Sequence, residues 1–188
     1  MGKAIANTAL GYLGGRIDNW VYRNTDDGIV VAKRPRVSDT PPTPARLEFQ
    51  QQFRKAVAYA QEKLQDPQLG PRYRAAAEKA GMRPFNFAFA DFMKAPQIER
   101  IETGDYHGGI GDPILVNITK EFELKSVVVK LLTPANAVVE EGAAVFVNGG
   151  WRYDATTVVA PGTQLVVRVI AKDTPGNTGD GEFPIVVG

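Results

Sequence analysis

The chain of 188 residues is long enough for one domain or two small ones, and its 44% hydrophobic and 23% charged residues are typical of globular proteins. It contains no cysteine, which excludes disulfides, thiolate zinc sites and cysteine nucleophiles. Residues 1–96 have a net charge of +6, from 15 Lys and Arg against nine Asp and Glu, and residues 97–188 have a net charge of −5, from seven against twelve. These opposite charges favour either a polyanionic partner for the first half or head-to-tail contact between copies.

The opening segment, "MGKAIANTALGYLGG", is Gly-rich and weakly apolar. Asn7 and Thr8 interrupt it, whereas the hydrophobic region of a secretory signal peptide is more uniformly apolar and leads to a small-residue cleavage site. No stretch of the chain approaches the length and apolarity of a membrane span. We therefore expect no membrane span, and a protein that is cytoplasmic, phage-borne or exported by an unconventional route.

Two β-prone runs flank a turn signal in "NWVYRNTDDGIVVAKRP". Residues 20–23 and 29–33 are predicted to form a hairpin about Asp26, Asp27 and Gly28, because glycine accepts the positive φ that such a turn requires. The following "SDTPPTP" predicts an extended linker, since a residue before proline is disfavoured in helix.

Helical signals begin at Thr43-Pro44, a hydroxyl N-cap followed by proline at the first helical position. Apolar residues then recur at helical spacing: Phe49, Phe53, Val57, Ala60 and Leu64. Asp66-Pro67 ends this helix and begins a second one, which Gly81 stops. The stretch "PFNFAFADFMKAP" fits both a strand and a helix, and we favour a short helix with Asn86 as its cap.

Short strand-like runs separated by turn clusters follow Pro96. The predicted strands are 98–102, 114–119, 126–132, 143–147, 151–156, 164–171 and 183–187. Two of them alternate along the chain, with Val127, Val129 and Leu131 on one face of the first and Leu165, Val167 and Val169 on one face of the second. Seven short strands in about 90 residues predict an antiparallel β-sandwich.

The end of the chain, "VVRVIAKDTPGNTGDGEFPIVV", resembles the ending of bacterial immunoglobulin-like modules. There a strand finishes in Ala-x-Asp-x-x-Gly-Asn, matched by Ala171, Asp173, Gly176 and Asn177, and one last strand completes the sheet. Asp and Asn can hydrogen-bond neighbouring backbone amides, and glycine takes the left-handed corner. The upstream W-x-Y-x-A-T, residues 151–156, matches the same modules. The resemblance covers residues 98–188 and implies an immunoglobulin-like sandwich, with the polar run as its last hairpin and with no implied reaction.

The first half resembles the amino-terminal part of uncharacterised bacterial proteins, many of them from Bacteroidetes-type genomes. A Gly-rich opening, "GRIDNWVYRN", an Arg-Pro pair and a helix with glutamine and phenylalanine follow in that order. The matching residues are Gly15, Asn19, Tyr22, Arg34, Pro35, Thr43, Gln51 and Phe53. This resemblance implies no particular function.

Few catalytic combinations are available in this sequence. His107 is the only histidine, and Ser38 and Ser126 are the only serines, one in the linker and one at the start of a strand. A Ser-His-acid site needs these residues together, so we interpret His107 as a loop residue. "HGGIGDP" lacks the spacing and the strand–loop–helix setting of a phosphate loop and indicates turn glycines. We therefore expect a protein that is not an enzyme and binds no cofactor.

Two further groups of residues are either candidate ligand contacts or residues with an ordinary structural role. Basic residues around "KRPRV" and on the first helix are candidate polyanion contacts or a solvated surface: Lys33, Arg34, Arg36, Arg46, Arg54 and Lys55. Loop aspartates are candidate Ca²⁺ ligands or ordinary turn caps: Asp105, Asp112, Asp173 and Asp180. We commit to no metal site.

Apolar residues near the start are candidate assembly contacts: Ile5, Leu10, Leu13, Ile17, Trp20 and Val21. Their segment is too short to build a core, and a lone hairpin is marginal in water. It can pack on its own helices or add to the sheet edge of a neighbour, and the unlike charges of the two halves favour the neighbour.

These observations together predict an α+β protein with two modules. Residues 1–96 form a basic hairpin-plus-helices module, and residues 97–188 form an all-β immunoglobulin-like sandwich. The predicted function is that of a structural subunit that assembles head to tail with copies of itself through the first module, as a filament, an appendage or a virion-like particle. The sandwich then serves as a spacer or an adhesive surface. The alternative is a nucleic-acid-binding protein that uses the basic first half.

Overall fold

The computed structural model describes residues 2–4, 15–25, 28–35, 41–120 and 122–188. The fold is mixed α+β, with β-structure dominant. Its compact units are Met1–Pro44 and Ala45–Gly188. The helices thus share a compact unit with the C-terminal sheets, whereas the predicted module boundary lies between residues 96 and 97. That boundary between modules stays a prediction.

The unit Met1–Pro44 contains one antiparallel sheet. Its strands are β1 (Gly2–Ala4), β2 (Gly15–Ile17), β3 (Trp20–Thr25) and β4 (Gly28–Lys33), in the order β1-β4-β3-β2. The two strands of the predicted hairpin are confirmed as β3 and β4. Their antiparallel pairing extends from the pair Thr25 and Gly28 to the pair Trp20 and Lys33. The predicted turn residues Asp26 and Asp27 lie outside the described residues. Between β2 and β3 is a turn that the sequence analysis missed, in which Asp18 has a φ of 50°.

Three helices follow, α1 (Pro44–Gln65), α2 (Leu69–Lys79) and α3 (Pro84–Met93). The first begins at Pro44, as predicted. Asp66 separates it from α2, and its Oδ1 accepts hydrogen bonds from the backbone N–H groups of Gln68 and Leu69, both at 2.8 Å. These donors at a helix start have no partner within the helix, so the carboxylate satisfies them.

The ends of α2 and α3 test two further predictions. Gly81 follows α2 with a φ of 64°, and this left-handed conformation ends the helix as predicted. The ambiguous phenylalanine-rich stretch is indeed helical, but Asn86 is not its cap. Arg83 occupies the cap position with extended backbone and no side-chain hydrogen bond, because Pro84 already sets the helical φ of the first position.

The remaining strands form two antiparallel sheets. They are β5 (Gln97–Glu102), β6 (Pro113–Thr119), β7 (Leu124–Leu132), β8 (Val138–Ala143), β9 (Val145–Val147), β10 (Gly150–Asp154), β11 (Gln164–Asp173) and β12 (Thr178–Val186). One sheet has the order β5-β6-β10-β9 and the other the order β12-β11-β7-β8. The predicted single strand at 143–147 is divided in the structure: Ala143 ends β8 in one sheet, and Val145–Val147 form β9 in the other.

Both sheets contribute to one hydrophobic core. Alternate residues of β7 and β11 are buried, including Val129, Leu131, Val167 and Val169, and this confirms the predicted alternation. The other sheet adds buried residues such as Ile114, Val116 and Tyr153 to the same core. Each fully buried aliphatic side chain of this kind is worth about 1.5–3 kcal/mol. Two antiparallel sheets around a shared core make a β-sandwich.

Candidate functional site

The sheet of Met1–Pro44 has one apolar face. Ile17 pairs with Trp20, and Tyr22 pairs with Val31, so these side chains lie on one side of the sheet. Ile29 lies on the same side, because it is two residues from Val31 in β4. We call these five residues the apolar face. Ile17 remains 52% exposed and Trp20 47% exposed. Among residues 15–25, 28–35 and 41–44 of this unit, Ile29 alone is buried.

The candidate assembly contacts are only partly brought together. Ile17 and Trp20 lie side by side on the apolar face. Val21 pairs with Arg16 and Ala32 on the opposite side, because successive residues of a strand point to opposite sides. Three other candidates, Ile5, Leu10 and Leu13, lie outside the described residues.

The candidate polyanion contacts fall in two places. Lys33 is exposed and pairs with Trp20 at the end of the apolar face, and the exposed Arg34 follows it. Arg36 lies outside the described residues. The others are on the exposed first turns of α1. There Arg46 and Lys55 lie on opposite sides of the helix, since nine positions correspond to about two and a half turns.

The other compact unit contains a buried group of charges, Asp91, Lys120 and Asp173, which we call the ion cluster. The Nζ atom of Lys120 lies 2.6 Å from Oδ2 of Asp173 and 3.1 Å from Oδ1 of Asp91. It also donates to the main-chain oxygen of Asp91 at 2.6 Å and to that of Lys94. The lysine side chain is 2% exposed and both carboxylates are fully buried. Such a charge group is tolerated in the interior only because its members are paired.

Three parts of the chain supply the ion cluster. Asp91 belongs to α3, Lys120 follows β6, and Asp173 is the last residue of β11. The backbone oxygen of Phe92 in α3 also accepts a hydrogen bond from the Asn177 side-chain amide at 3.0 Å. The ion cluster therefore holds the helices against the end of the sandwich.

Aromatic side chains enclose the α3 side of the ion cluster. The Tyr73 hydroxyl donates to Oδ2 of Asp91 at 2.6 Å, and it lies 2.8 Å from the Tyr59 hydroxyl. The Tyr73 ring stacks on Phe122 with ring centres 4.0 Å apart. Burial raises the pKa of Tyr73, raises the pKa of Tyr59 to about 12 and raises the pKa of Asp91 above its usual value. Removal from water is the dominant influence on all three groups.

Part of the ion cluster was visible in the sequence. The predicted local role of the final motif is confirmed, since Oδ1 of Asp173 accepts from the backbone N–H groups of Gly176 at 2.8 Å and Asn177 at 2.6 Å. Gly176 has the left-handed φ of 99° that the motif implies. Lys120 and Asp91 were missed, because nothing in "NITKEFELK" or in the phenylalanine-rich stretch distinguishes a buried charge from an exposed one.

The loop "HGGIGDP" is a turn closed by its own carboxylate. Oδ2 of Asp112 accepts from the backbone N–H groups of His107 and Gly109, both at 2.8 Å, and these bonds lower the pKa of Asp112. Gly108 and Gly111 have φ values of 85° and 89°, which confirms the turn-glycine interpretation. In the described parts of the chain, no three His, Asp or Glu residues come together as metal ligands.

No helix within the described residues combines the length and apolarity needed to cross a membrane.

Comparison with known proteins finds distant structural similarity to solved structures. No family model matches the chain, and no curated protein matches it. CopC from Methylosinus trichosporium OB3b is similar with a TM-score of 0.38 and 14% identity, over 48% of this chain and 91% of that protein. A conjugative transposon lipoprotein from Bacteroides eggerthii DSM 20697 is similar with a TM-score of 0.28 and 13% identity, over 48% of this chain and 94% of that protein. Similarity at this level bears on neither family nor function.

Replacing Lys120 by methionine should strongly destabilise the compact unit Ala45–Gly188. The change keeps the aliphatic stem but leaves two buried carboxylates without their cation, which costs about 3–5 kcal/mol. Lys130→Met is the matched control, because the partly exposed Lys130 pairs with Glu141 at 2.5 Å and such surface pairs are worth about 0–1 kcal/mol. The free energy of unfolding in urea measures both. Equal effects of the two changes would contradict a stabilising role for the ion cluster.

Proposed function

We propose that this protein is a non-enzymatic structural subunit that assembles with copies of itself through the sheet of Met1–Pro44. The supporting observation is the apolar face, where Ile17 and Trp20 remain about half exposed. The assembly is a head-to-tail polymer, as a filament, an appendage or a virion-like particle. The β-sandwich serves as its spacer or adhesive surface.

The size of the first compact unit supports this assignment. Units of roughly 40 residues or fewer rarely fold without disulfides, metals or association with another surface. Met1–Pro44 is close to that limit and has no cysteine. A second copy that covers Ile17 and Trp20 would remove their apolar surface from water, which is favourable at about 25 cal/mol per Å².

Charge and symmetry favour contact between unlike surfaces. The opposite net charges of residues 1–96 and 97–188 attract when copies stack head to tail, and they would repel if like halves met. A contact between two different surfaces of the same protein repeats from copy to copy and generates a ring or a fibre.

For the sandwich we propose an immunoglobulin-like fold, and the strand order supports this. If β5 is strand A of such a fold, one sheet follows the order A-B-E-D. The other sheet follows the order G-F-C, with β8 added beside strand C. The inter-sheet disulfide of antibody domains is absent, because the chain has no cysteine. The proposed likeness is therefore one of topology, and it suits a spacer.

The double change Ile17→Ser and Trp20→Ser in the full chain should abolish assembly. Loss of two apolar contacts is worth about 3 kcal/mol or more, which weakens association by roughly a hundredfold or more. Sedimentation velocity at high protein concentration and low salt, with negative-stain microscopy, measures the effect. Val158→Ser is the control, since Val158 is 69% exposed and lies in the other compact unit. A monomeric wild-type chain, or a double variant that assembles as the wild type does, would refute the proposal.

A second candidate function, nucleic-acid binding, is favoured by one specific arrangement. Trp20 and Lys33 pair across the sheet and Tyr22 lies on the same side, so that an exposed indole adjoins a cation. Aromatic rings next to basic side chains are the usual means of binding single-stranded nucleic acid, by base stacking and phosphate contact.

Band-retardation assays with single-stranded DNA and RNA separate the two candidates. If nucleic acid is the partner, the chain retards these strands at low salt, and replacing Lys33, Arg34 and Arg36 together by alanine abolishes the retardation. A control that removes three exposed basic residues elsewhere in the chain, Lys79, Arg83 and Lys125, should retain most of the binding. The assembly proposal predicts no retardation by the wild-type chain.

A further inference from the structure

The ion cluster places an amine and a carboxyl group in contact where water is excluded. Nζ of Lys120 lies 2.6 Å from Oδ2 of Asp173, and both side chains are almost completely buried. We propose that these two side chains are joined by an amide bond, which the folded chain forms by itself with Asp91 as the proton carrier. This proposal is independent of the proposed assembly.

The atoms and charges of the reaction balance without any further reagent. The nitrogen of Lys120 bonds to Cγ of Asp173, and the bond from Cγ to Oδ2 breaks. Of the three protons on the ammonium group, one stays on the amide nitrogen and two leave with Oδ2 as a water molecule. Asp91 accepts these protons one at a time, passes them to Oδ2 and ends as the carboxylate it was. The products are a neutral amide and one water.

Burial changes the equilibrium in favour of the amide. In water the separate ammonium and carboxylate ions are well solvated, whereas each buried ion loses several kcal/mol of that solvation. Condensation removes two of the three buried charges of the ion cluster. The fold also holds the reacting groups together, and well-oriented groups react as if at about 10⁵–10⁸ M.

Hydrogen-bond donors around Asp173 suit an acyl acceptor. Its Oδ1 receives two backbone N–H groups, from Gly176 and Asn177, which are placed to stabilise the negative oxygen of a tetrahedral intermediate. The departing Oδ2 receives a hydrogen bond from the Asn177 side chain at 2.9 Å. Gly176 and Asn177, which close the turn between β11 and β12, thereby also polarise the Asp173 carboxylate.

Asp91 is placed to carry protons. Its Oδ1 lies 3.1 Å from Nζ of Lys120, close enough to accept a proton from it, while its Oδ2 is held by Tyr73. Burial raises the pKa of Asp91, which favours its protonated form as an intermediate. After condensation, the remaining N–H of the amide can donate to the main-chain oxygen of Asp91, which lies 2.6 Å from Nζ.

The mass of the denatured full-length chain tests the proposal directly. We expect freshly purified wild-type protein to be lighter than its sequence by the mass of one water molecule. Tryptic digestion should yield a branched peptide in which residues 101–125 are joined to residues 173–188, because amide formation blocks cleavage after Lys120. A wild-type chain at its full sequence mass would overturn the proposal, whatever the variants do.

Two variants distinguish the amide from other losses of water. Asp27-Gly28 and Asp180-Gly181 are sites where aspartate can cyclise with loss of water. Lys120→Arg keeps the buried positive charge but cannot form the amide, so it should have its full sequence mass. The same loss of water in this variant would assign the loss to cyclisation and refute the amide. Asp91→Asn should also have its full mass, and a water loss with the branched peptide in this variant would refute the role of Asp91.

Discussion

Lys120 connects the helices to the sandwich within the larger compact unit. Its ammonium group contacts carboxylates from α3 and from the end of β11, and it donates to two main-chain oxygens at the end of α3. Each of these groups is costly to bury alone, and the cost is offset only when all of them meet. The helices and the sheets are therefore restricted to the arrangement that completes the ion cluster. This explains why α1–α3 share a compact unit with the sandwich.

The unit Met1–Pro44, in contrast, leaves much of the apolar surface on its described strands exposed. Across strands β2, β3 and β4 the sheet buries Ile29 alone and leaves Ile17 and Trp20 about half exposed on one side. A sheet with one apolar side lowers its free energy when that side is covered. We infer a difference in stability between the two units: the sandwich is stable by itself, whereas the sheet of Met1–Pro44 is stabilised when another chain covers its apolar face.

Local signals in the sequence were sufficient for most of the secondary structure. Pro44 marks the start of α1, Gly81 the end of α2, and the alternating residues of β7 and β11 the core of the sandwich. The failures have local causes as well. β8 carries Glu140 and Glu141 and so lacks an apolar pattern. The predicted last hairpin is present between β11 and β12, but its turn is shorter than the polar run, because the residues from Thr178 onwards belong to β12.

The candidate sites were less predictable because they depend on distant residues. Lys120 meets partners 29 positions before it and 53 positions after it in the sequence, and no local pattern specifies such a meeting. The final sequence motif predicted the hydrogen bonds of Asp173 within its own turn, but not its ion pair with Lys120. Likewise, strand pairing decides that Ile17 and Trp20 share a side of the sheet and that Val21 does not.

Amide hydrogen exchange of the full chain over a range of protein concentrations tests this difference in stability most directly. We expect slow exchange in β7 and β11 at every concentration. In β3 and β4 we expect exchange that is fast when the protein is dilute and slows as the chains associate. Equal protection of β3, β4, β7 and β11 in the dilute monomer would contradict it, because the sheet of Met1–Pro44 would then be complete without a neighbour.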